Sequence, residues 1–136
     1  MANKPIEDVE GIGPTVGGKL RDVGVKNTDA LLAQTRTPAL RKSLAGKTGL
    51  SPRQILKFAN MVDLYRVNGI GSEYAELLEA AGVDTVPELR RRNAVNLQRT
   101  MATLNETKKL VRRTPTESEV MGWIQQAKGL PRMLEY

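Results

Sequence analysis

The tripeptide Gly-Ile-Gly occurs twice in this chain, at residues 11–13 and 69–71. A shift of 58 positions aligns the two copies and gives eight identities over a window of 23 residues. Beyond the tripeptide, the identities pair Val9 with Val67, Leu20 with Leu78, Gly24 with Gly82, Val25 with Val83 and Leu31 with Leu89. Such a match indicates an internal duplication. We therefore expect two repeats, at residues 1–66 and 67–136.

Helix signals recur along the chain, whereas strand signals are almost missing. A polar residue before proline predicts helix starts at Pro38, Pro52 and Pro115. Thr116 and Glu119 form a capping box, which is an alternative start for the last helix. The predicted fold is all-α, with the two repeats fused into one compact helical unit.

Each Gly-Ile-Gly turn is expected to lie between two short helices. The second helix of each pair is predicted at Pro14–Val23 and at Ser72–Ala81, and each stops at a glycine, Gly24 or Gly82. The segments Asn27-Thr28-Asp29 and Asp84-Thr85 are expected to cap the helices that follow, which contain Leu31 and Leu89.

The later parts of the repeats align only when the offset grows to 65, which pairs Phe58 with Trp123. Both aromatic residues are predicted to lie in the core. A helix from Pro52 to about Val67 is expected to join the repeats without a flexible linker. The change of offset places an insertion of roughly seven residues around residues 105–111 of the second repeat. Residues 130–136 are expected to be irregular.

The chain contains no cysteine and no histidine. These absences remove thiol nucleophiles, imidazole bases, disulfides and the usual zinc ligands. We therefore expect a non-catalytic protein with no cofactor and no bound metal. Without a signal segment or a run near 20 apolar residues, a cytoplasmic protein without membrane contact is expected.

Positive charge is concentrated in two segments of the chain. The formal net charge is +6, and the segment 36–66 holds seven basic residues against one acidic residue. The segment 90–113 holds eight basic residues against one acidic residue. Such a distribution favours a polyanionic partner. The alternative is that these cations are solvated, or pair inside the fold with acidic residues such as Glu73, Glu76, Glu79 and Glu88.

The glycines of the first turn allow a specific chemistry. Gly11 and Gly13 can adopt positive φ and leave the backbone open to a ligand. Successive amides in such a turn, with the following helix N-terminus, can bind a phosphate. Ile12 is expected to turn inward and lock the flanking helices, and Gly17 to let them cross closely. The alternative is a tight corner without any ligand.

The segment Val9-Glu10-Gly11-Ile12-Gly13-Pro14, with Lys19-Leu20 and Gly24-Val25, resembles the helix-hairpin-helix motif. That motif occurs in DNA repair and recombination proteins and binds the DNA backbone without sequence preference. More closely, nearly the whole chain resembles a bacterial family of unknown function with duplicated helix-hairpin-helix modules. This second resemblance implies the fold and no established activity. It is carried by Lys47-Thr48-Gly49, Ile55-Leu56-Lys57, Asn60-Met61-Val62-Asp63-Leu64, residues 73–85, Lys108-Lys109-Leu110-Val111-Arg112-Arg113 and Trp123-Ile124.

DNA-binding hairpins of this kind commonly carry a lysine, followed by threonine, just beyond the second glycine. This chain has Thr15 at the lysine position of the first copy and Glu73 at that of the second. Since Glu73 would repel a phosphate, Gly69, Ile70, Gly71 and Glu73 are expected to be structural or to bind a partner protein.

The leading hypothesis is a sequence-nonspecific nucleic-acid-binding module, with DNA favoured over RNA. The rival is a protein-interaction adaptor that binds no nucleic acid. For the leading hypothesis the predicted binding residues are Gly11, Ile12, Gly13, Thr15, Lys19, Arg90, Arg91, Arg92, Lys108, Lys109, Arg112 and Arg113.

Overall fold

The computed structural model describes residues 3–136, and 63% of the chain is helical. The prediction of an all-α fold is confirmed, since residues 3–136 form eight α-helices and no strand. A 3-10 helix at Ile6–Asp8 precedes them. The α-helices are α1 (Pro14–Asp22), α2 (Thr28–Gln34), α3 (Pro38–Thr48), α4 (Pro52–Leu64), α5 (Ser72–Ala80), α6 (Val86–Leu89), α7 (Ala94–Lys108) and α8 (Glu117–Gly129). None of these helices has the length and apolar character that a membrane crossing requires.

Side chains cap most of the helices at their N-termini. The predicted caps are confirmed at Asn27, which accepts a hydrogen bond from the Ala30 amide (2.8 Å), and at Thr85, which accepts one from the Glu88 amide (3.3 Å). The last helix begins at the capping box, so the prediction of a start at Pro115 is wrong. Thr116 and Glu119 exchange two backbone-to-side-chain hydrogen bonds of 3.1 Å, which fix Thr116 as the cap.

The helix predicted to run from Pro52 to about Val67 ends at Leu64. A tighter turn replaces its last residues, because the Val67 amide bonds the Leu64 carbonyl three residues earlier (3.1 Å). The first repeat has the same turn, with the Val9 amide on the Ile6 carbonyl (3.2 Å).

The described residues cluster into two compact units. One contains residues 3–63 together with Arg132–Tyr136, and the other contains Leu64–Pro131. The predicted irregular C-terminal segment is confirmed, since no helix follows Gly129. Its Leu134 is buried in the first of these units, and the Glu135 amide bonds the Arg36 carbonyl (2.7 Å). The C-terminal residues therefore belong to the unit that the N-terminal residues begin.

The two Gly-Ile-Gly segments share one backbone design, with matching hydrogen bonds 58 residues apart. Gly11 and Gly69 both have positive φ (87° and 97°), as do Gly24 and Gly82 (88° and 90°). The matched bonds run from Ile12 to Val9 (3.0 Å) and Ile70 to Val67 (3.1 Å), from Gly17 to Gly13 (2.8 Å) and Ala75 to Gly71 (2.9 Å), and from Val25 to Leu20 (2.9 Å) and Val83 to Leu78 (2.8 Å). The sequence repeat is thus a repeat of backbone geometry.

An aromatic side chain packs against the first glycine of each turn. A methyl group placed on Gly11 would lie 3.4 Å from Cε1 of Phe58, and one placed on Gly69 would lie 2.9 Å from Nε1 of Trp123. Both aromatic residues are 4% exposed, so the prediction that they lie in the core is confirmed. The last long helix of each repeat, α4 or α8, therefore supports the turn of that repeat.

Candidate functional site

The first turn places its backbone at the protein surface. Gly11, Gly13 and Thr15 are exposed, whereas Ile12 is 3% exposed, so the prediction that Ile12 turns inward is confirmed. Gly13 is the N-cap residue of α1 and has an extended backbone (φ −88°, ψ −171°). The buried isoleucine therefore anchors the turn while the glycine at the helix start faces solvent.

The N-terminus of α1 lacks a capping side chain. Among the described α-helices, α1 and α5 are the two whose first turn receives no hydrogen bond from an N-cap side chain. Both follow a Gly-Ile-Gly turn. In α1 the first intrahelical bond joins the Gly17 amide to the Gly13 carbonyl, so Thr15 and Val16 have amides without a helical acceptor. An external anion could accept from these amides.

The second turn has the same backbone and different side chains. Gly71 is again an extended N-cap residue (φ −104°, ψ −167°), and Ile70 is 4% exposed. The exposed Glu73 takes the place of Thr15, and the buried Leu77 takes the place of Lys19. An acidic residue therefore occupies the first turn of α5. This carboxylate already complements the partial positive charge of that helix end.

Gln126 of α8 holds the backbone just before the second turn. Its side-chain oxygen accepts from the Asn68 amide (2.9 Å), and its nitrogen donates to the Asn68 carbonyl (3.1 Å). With Trp123 packed on Gly69, two residues of α8 fix this turn from one helix. No sequence motif pointed to Gln126.

A carboxylate–guanidinium pair lies beside the first turn. Arg21 donates to both oxygens of Glu7 (2.7 and 2.5 Å). This hydrogen bonding to Arg21 holds the pKa of Glu7 below its ordinary value. A methyl group on Gly17 would collide with the Glu7 carboxylate, so the small residue at position 17 makes room for this pair. Arg21 is therefore already neutralised, while Lys19 stays exposed and unpaired among the described residues.

Two residues of the triple-arginine segment make contacts inside the fold. Arg90 is half-buried and donates to the Leu130 carbonyl (3.0 Å), and its Nε has no partner among the described residues. Arg92 donates to Glu88 (3.1 Å), as the ion-pair alternative predicted, and to the Gly82 carbonyl (3.0 Å). Arg91 is exposed, and its side chain makes no hydrogen bond to a described residue. One of the three arginines is thus available to a partner.

The basic residues at positions 108–113 divide in the same way. Arg113 donates to both oxygens of Glu119 (2.6 and 2.9 Å), and its carbonyl accepts from Tyr74 (3.0 Å). Hydrogen bonds from Arg113 and from the Thr116 amide lower the pKa of Glu119 to about 2, and the same pairing raises the pKa of Arg113. Three cations of this segment are exposed and unpaired within residues 3–136: Lys108, Lys109 and Arg112.

The predicted binding residues lie in both units. The first turn and Lys19 belong to the unit that contains residues 3–63, and the segment 90–113 belongs to the unit Leu64–Pro131. The basic residues of the sequence outnumber the cations available to a partner, because Arg90, Arg92 and Arg113 make hydrogen bonds inside the fold. The partners of these residues lie 4 to 40 positions away, and only the Arg92–Glu88 pair has the helical spacing that a sequence reveals.

Comparison with known protein families matches residues 10–130 to the model described as a domain of unknown function, DUF4332. No curated protein and no solved structure matches the chain. Because the family match spans most of the 136 residues, it covers both Gly-Ile-Gly turns and all eight described α-helices. The chain therefore belongs to the DUF4332 family of domains of unknown function.

Proposed function

We propose that this protein is a non-catalytic module that binds the phosphate backbone of nucleic acid without sequence preference. Its two Gly-Ile-Gly turns would be helix-hairpin-helix motifs, of which the first contacts phosphate. DNA is favoured over RNA because the first turn resembles a motif of DNA repair and recombination proteins.

The observation that carries the proposal is the exposed, uncapped start of α1. Its Thr15 and Val16 amides have no helical acceptor, and Gly13 puts no side chain in front of them. A nine-residue helix adds a partial positive charge at this end. The Thr15 hydroxyl and the exposed Lys19 add a donor and a cation on the same helix.

Unpaired surface charge supports the same proposal. Five of the predicted cations are exposed and have no partner among the described residues: Lys19, Arg91, Lys108, Lys109 and Arg112. Each one that neutralises a phosphate would release a condensed counterion, which would make the affinity depend steeply on salt.

The second turn is assigned a structural role in this proposal. The exposed Glu73 would stand near a phosphate bound at α5, and the repulsion would be on the order of 1 kcal/mol or less in screened solvent. That magnitude is enough to cancel a weak backbone contact. Trp123 and Gln126 give this turn its supporting contacts instead.

The pair Gly13→Val and Gly71→Val tests the proposal at equivalent positions. A side chain at either glycine meets nothing within 4 Å, and the extended backbone suits a β-branched residue. Both variants should therefore fold. We expect Gly13→Val to weaken binding to a fluorescent DNA duplex at least about fivefold, because the valine screens the α1 amides. Gly71→Val should leave the affinity unchanged, and equal affinities of all three proteins would refute the assignment of the first turn.

A second candidate function is a protein-interaction adaptor. The observation that favours it is the internal use of Arg90, Arg92 and Arg113, which reduces the charge available to a polyanion. On this account the exposed Glu73 and Glu79 of α5 would contact a basic partner. Absence of DNA and RNA binding by the wild-type chain at 50 mM salt would favour the adaptor over the nucleic-acid module.

A further inference from the structure

The connection between α7 and α8 differs from its counterpart in the first repeat. Gly49 caps the C-terminus of α3 in the left-handed conformation (φ 77°), and α4 begins three residues later at Pro52. A left-handed residue, Lys109 (φ 50°), likewise caps the C-terminus of α7, but α8 does not begin until Glu117. The second repeat therefore carries a longer loop, residues 109–116, which overlaps the insertion predicted around residues 105–111.

Lys109 stands where a glycine would be the more stable choice. It is the one non-glycine residue with positive φ among residues 3–136, and this conformation costs a residue with a side chain roughly 1–2 kcal/mol. The residue with the same C-cap role in the first repeat, Gly49 of α3, is a glycine. Such a backbone outlier points to a function for the side chain that it carries.

The loop is tied to its surroundings at several points. Asn105 of α7 accepts from the Val111 amide and donates to the Val111 carbonyl, both at 3.0 Å. Gln98 donates to the Pro115 carbonyl (3.1 Å), and Tyr74 donates to the Arg113 carbonyl (3.0 Å). Val111 and Pro115 are buried. The backbone of the loop is therefore fixed before any partner binds.

Lys108, Lys109 and Arg112 project from this fixed backbone into solvent. None of them pairs with a described residue, and the nearest acid in sequence, the exposed Glu106, pairs with none of them. The apolar residues of the loop face inward, since Val111 is buried and Leu110 is half-buried. Charged residues are depleted at the centre of protein interfaces, whereas a phosphodiester backbone is contacted through spaced positive charge.

We infer that this basic loop, Lys108 to Arg112, is a preformed contact for the phosphodiester backbone of nucleic acid, and that Asn105 is the residue that positions it. The inference rests on the proposed function and adds that three of its five exposed cations form one fixed contact, carried by the unit Leu64–Pro131. Because the loop is ordered in advance, binding loses little backbone entropy when the three cations meet phosphates.

The test compares two triple variants of the full chain that remove equal charge. The loop variant is Lys108→Gln/Lys109→Gln/Arg112→Gln, and the control is Lys42→Gln/Lys47→Gln/Lys57→Gln, whose exposed lysines lie on α3 and α4. Affinity for a labelled DNA duplex is measured by fluorescence anisotropy from 50 to 200 mM NaCl. We expect the loop variant to lose at least about tenfold in affinity at the lowest salt, and its salt slope to fall by about 2.7. The control should lose less than about threefold.

A third variant, Asn105→Ala, keeps every charge and removes the two hydrogen bonds that the Asn105 side chain makes to the Val111 backbone. We expect faster hydrogen exchange at the Val111 amide, with weaker binding and an unchanged salt slope, because the cations remain but their backbone is no longer held. An affinity equal to that of the wild type, together with fast exchange, would refute the positioning role. Circular dichroism of each variant establishes that it is folded.

The possible outcomes separate the inference from the proposed function. If the wild type binds DNA and the two triple variants lose equal affinity, the basic loop is refuted while the proposed function stands. If the wild type binds no DNA or RNA at 50 mM salt, both fail. If the wild type binds poly-glutamate but no DNA, and the loop variant loses the binding to poly-glutamate, then the loop contacts an acidic protein and the inference is overturned.

Discussion

Replacement of Gly69 by alanine tests the contact that supports the second turn. Gly69 has φ 97°, and a methyl group there would lie 2.9 Å from the indole nitrogen of Trp123, a side chain that is 4% exposed. Two costs therefore add. The backbone conformation costs a residue with a Cβ atom roughly 1–2 kcal/mol, and displacement of a packed core side chain costs roughly 1–3 kcal/mol.

We expect Gly69→Ala to lower the free energy of unfolding by about 2–5 kcal/mol. Gly11→Ala should cost only about 1–2 kcal/mol, because its methyl group would lie at an ordinary contact distance of 3.4 Å from Phe58. Gly122→Ala is the matched control in the same unit as Gly69. Gly122 lies in the middle of α8, is exposed and meets nothing within 4 Å, so alanine should stabilise the helix by about 0.5–1 kcal/mol.

The assay is urea unfolding followed by the fluorescence of Trp123, the single tryptophan of the chain. Circular dichroism at 222 nm serves for Gly11→Ala, since its unit contains no tryptophan. A loss of less than about 1 kcal/mol for Gly69→Ala would contradict the reasoning, since the backbone term alone exceeds it. Equal losses for Gly69→Ala and Gly11→Ala would show that the Trp123 contact adds nothing.

Two further predictions concern stability. Because pairing with Arg113 lowers the folded pKa of Glu119 from 4.5 to about 2, the stability from this pair is present above pH 4.5 and lost as the pH falls toward 2. Thermal unfolding between pH 4.5 and about 2 should show a loss of stability in the wild type and a smaller loss in Glu119→Gln. Identical dependence of stability on pH in the two proteins would argue against the pair. Leu134→Ala should cost about 2–5 kcal/mol, because Leu134 is 2% exposed. Met121→Ala, at a half-exposed apolar site, should cost far less, and equal losses by chemical denaturation would contradict burial of the C-terminal segment.

Much of the fold could be predicted because its signals are local. The turn glycines Gly11 and Gly24 and capping residues such as Asn27 act on backbone only a few residues away. Their positions in the sequence therefore predict where helices begin and end. The duplication added the expectation that Phe58 and Trp123 are equivalent, and each packs on its own turn. The exact end of α4 was missed by about three residues, because a tighter turn takes over after Leu64.

The candidate site was less predictable because charge in a sequence carries no information about pairing. In the sequence, Arg113 and Arg90 are simply two cations. In the structure, Arg113 bonds Glu119 and Arg90 bonds the Leu130 carbonyl, so neither is available to a partner. Conversely, the clamp formed by Asn105 depends on the path of a loop that no periodic pattern describes. Long-range contacts of this kind arise from tertiary packing, which a local signal does not encode.

The most direct test of the proposed function is a salt titration of the wild-type chain against two DNA duplexes of unrelated sequence. The proposal predicts equal affinities for both duplexes and a linear fall of log K with log salt concentration. With three to five phosphate contacts, the slope should lie between about −2.7 and −4.5. Absence of binding at 50 mM salt, or a strong preference for one sequence, would contradict it.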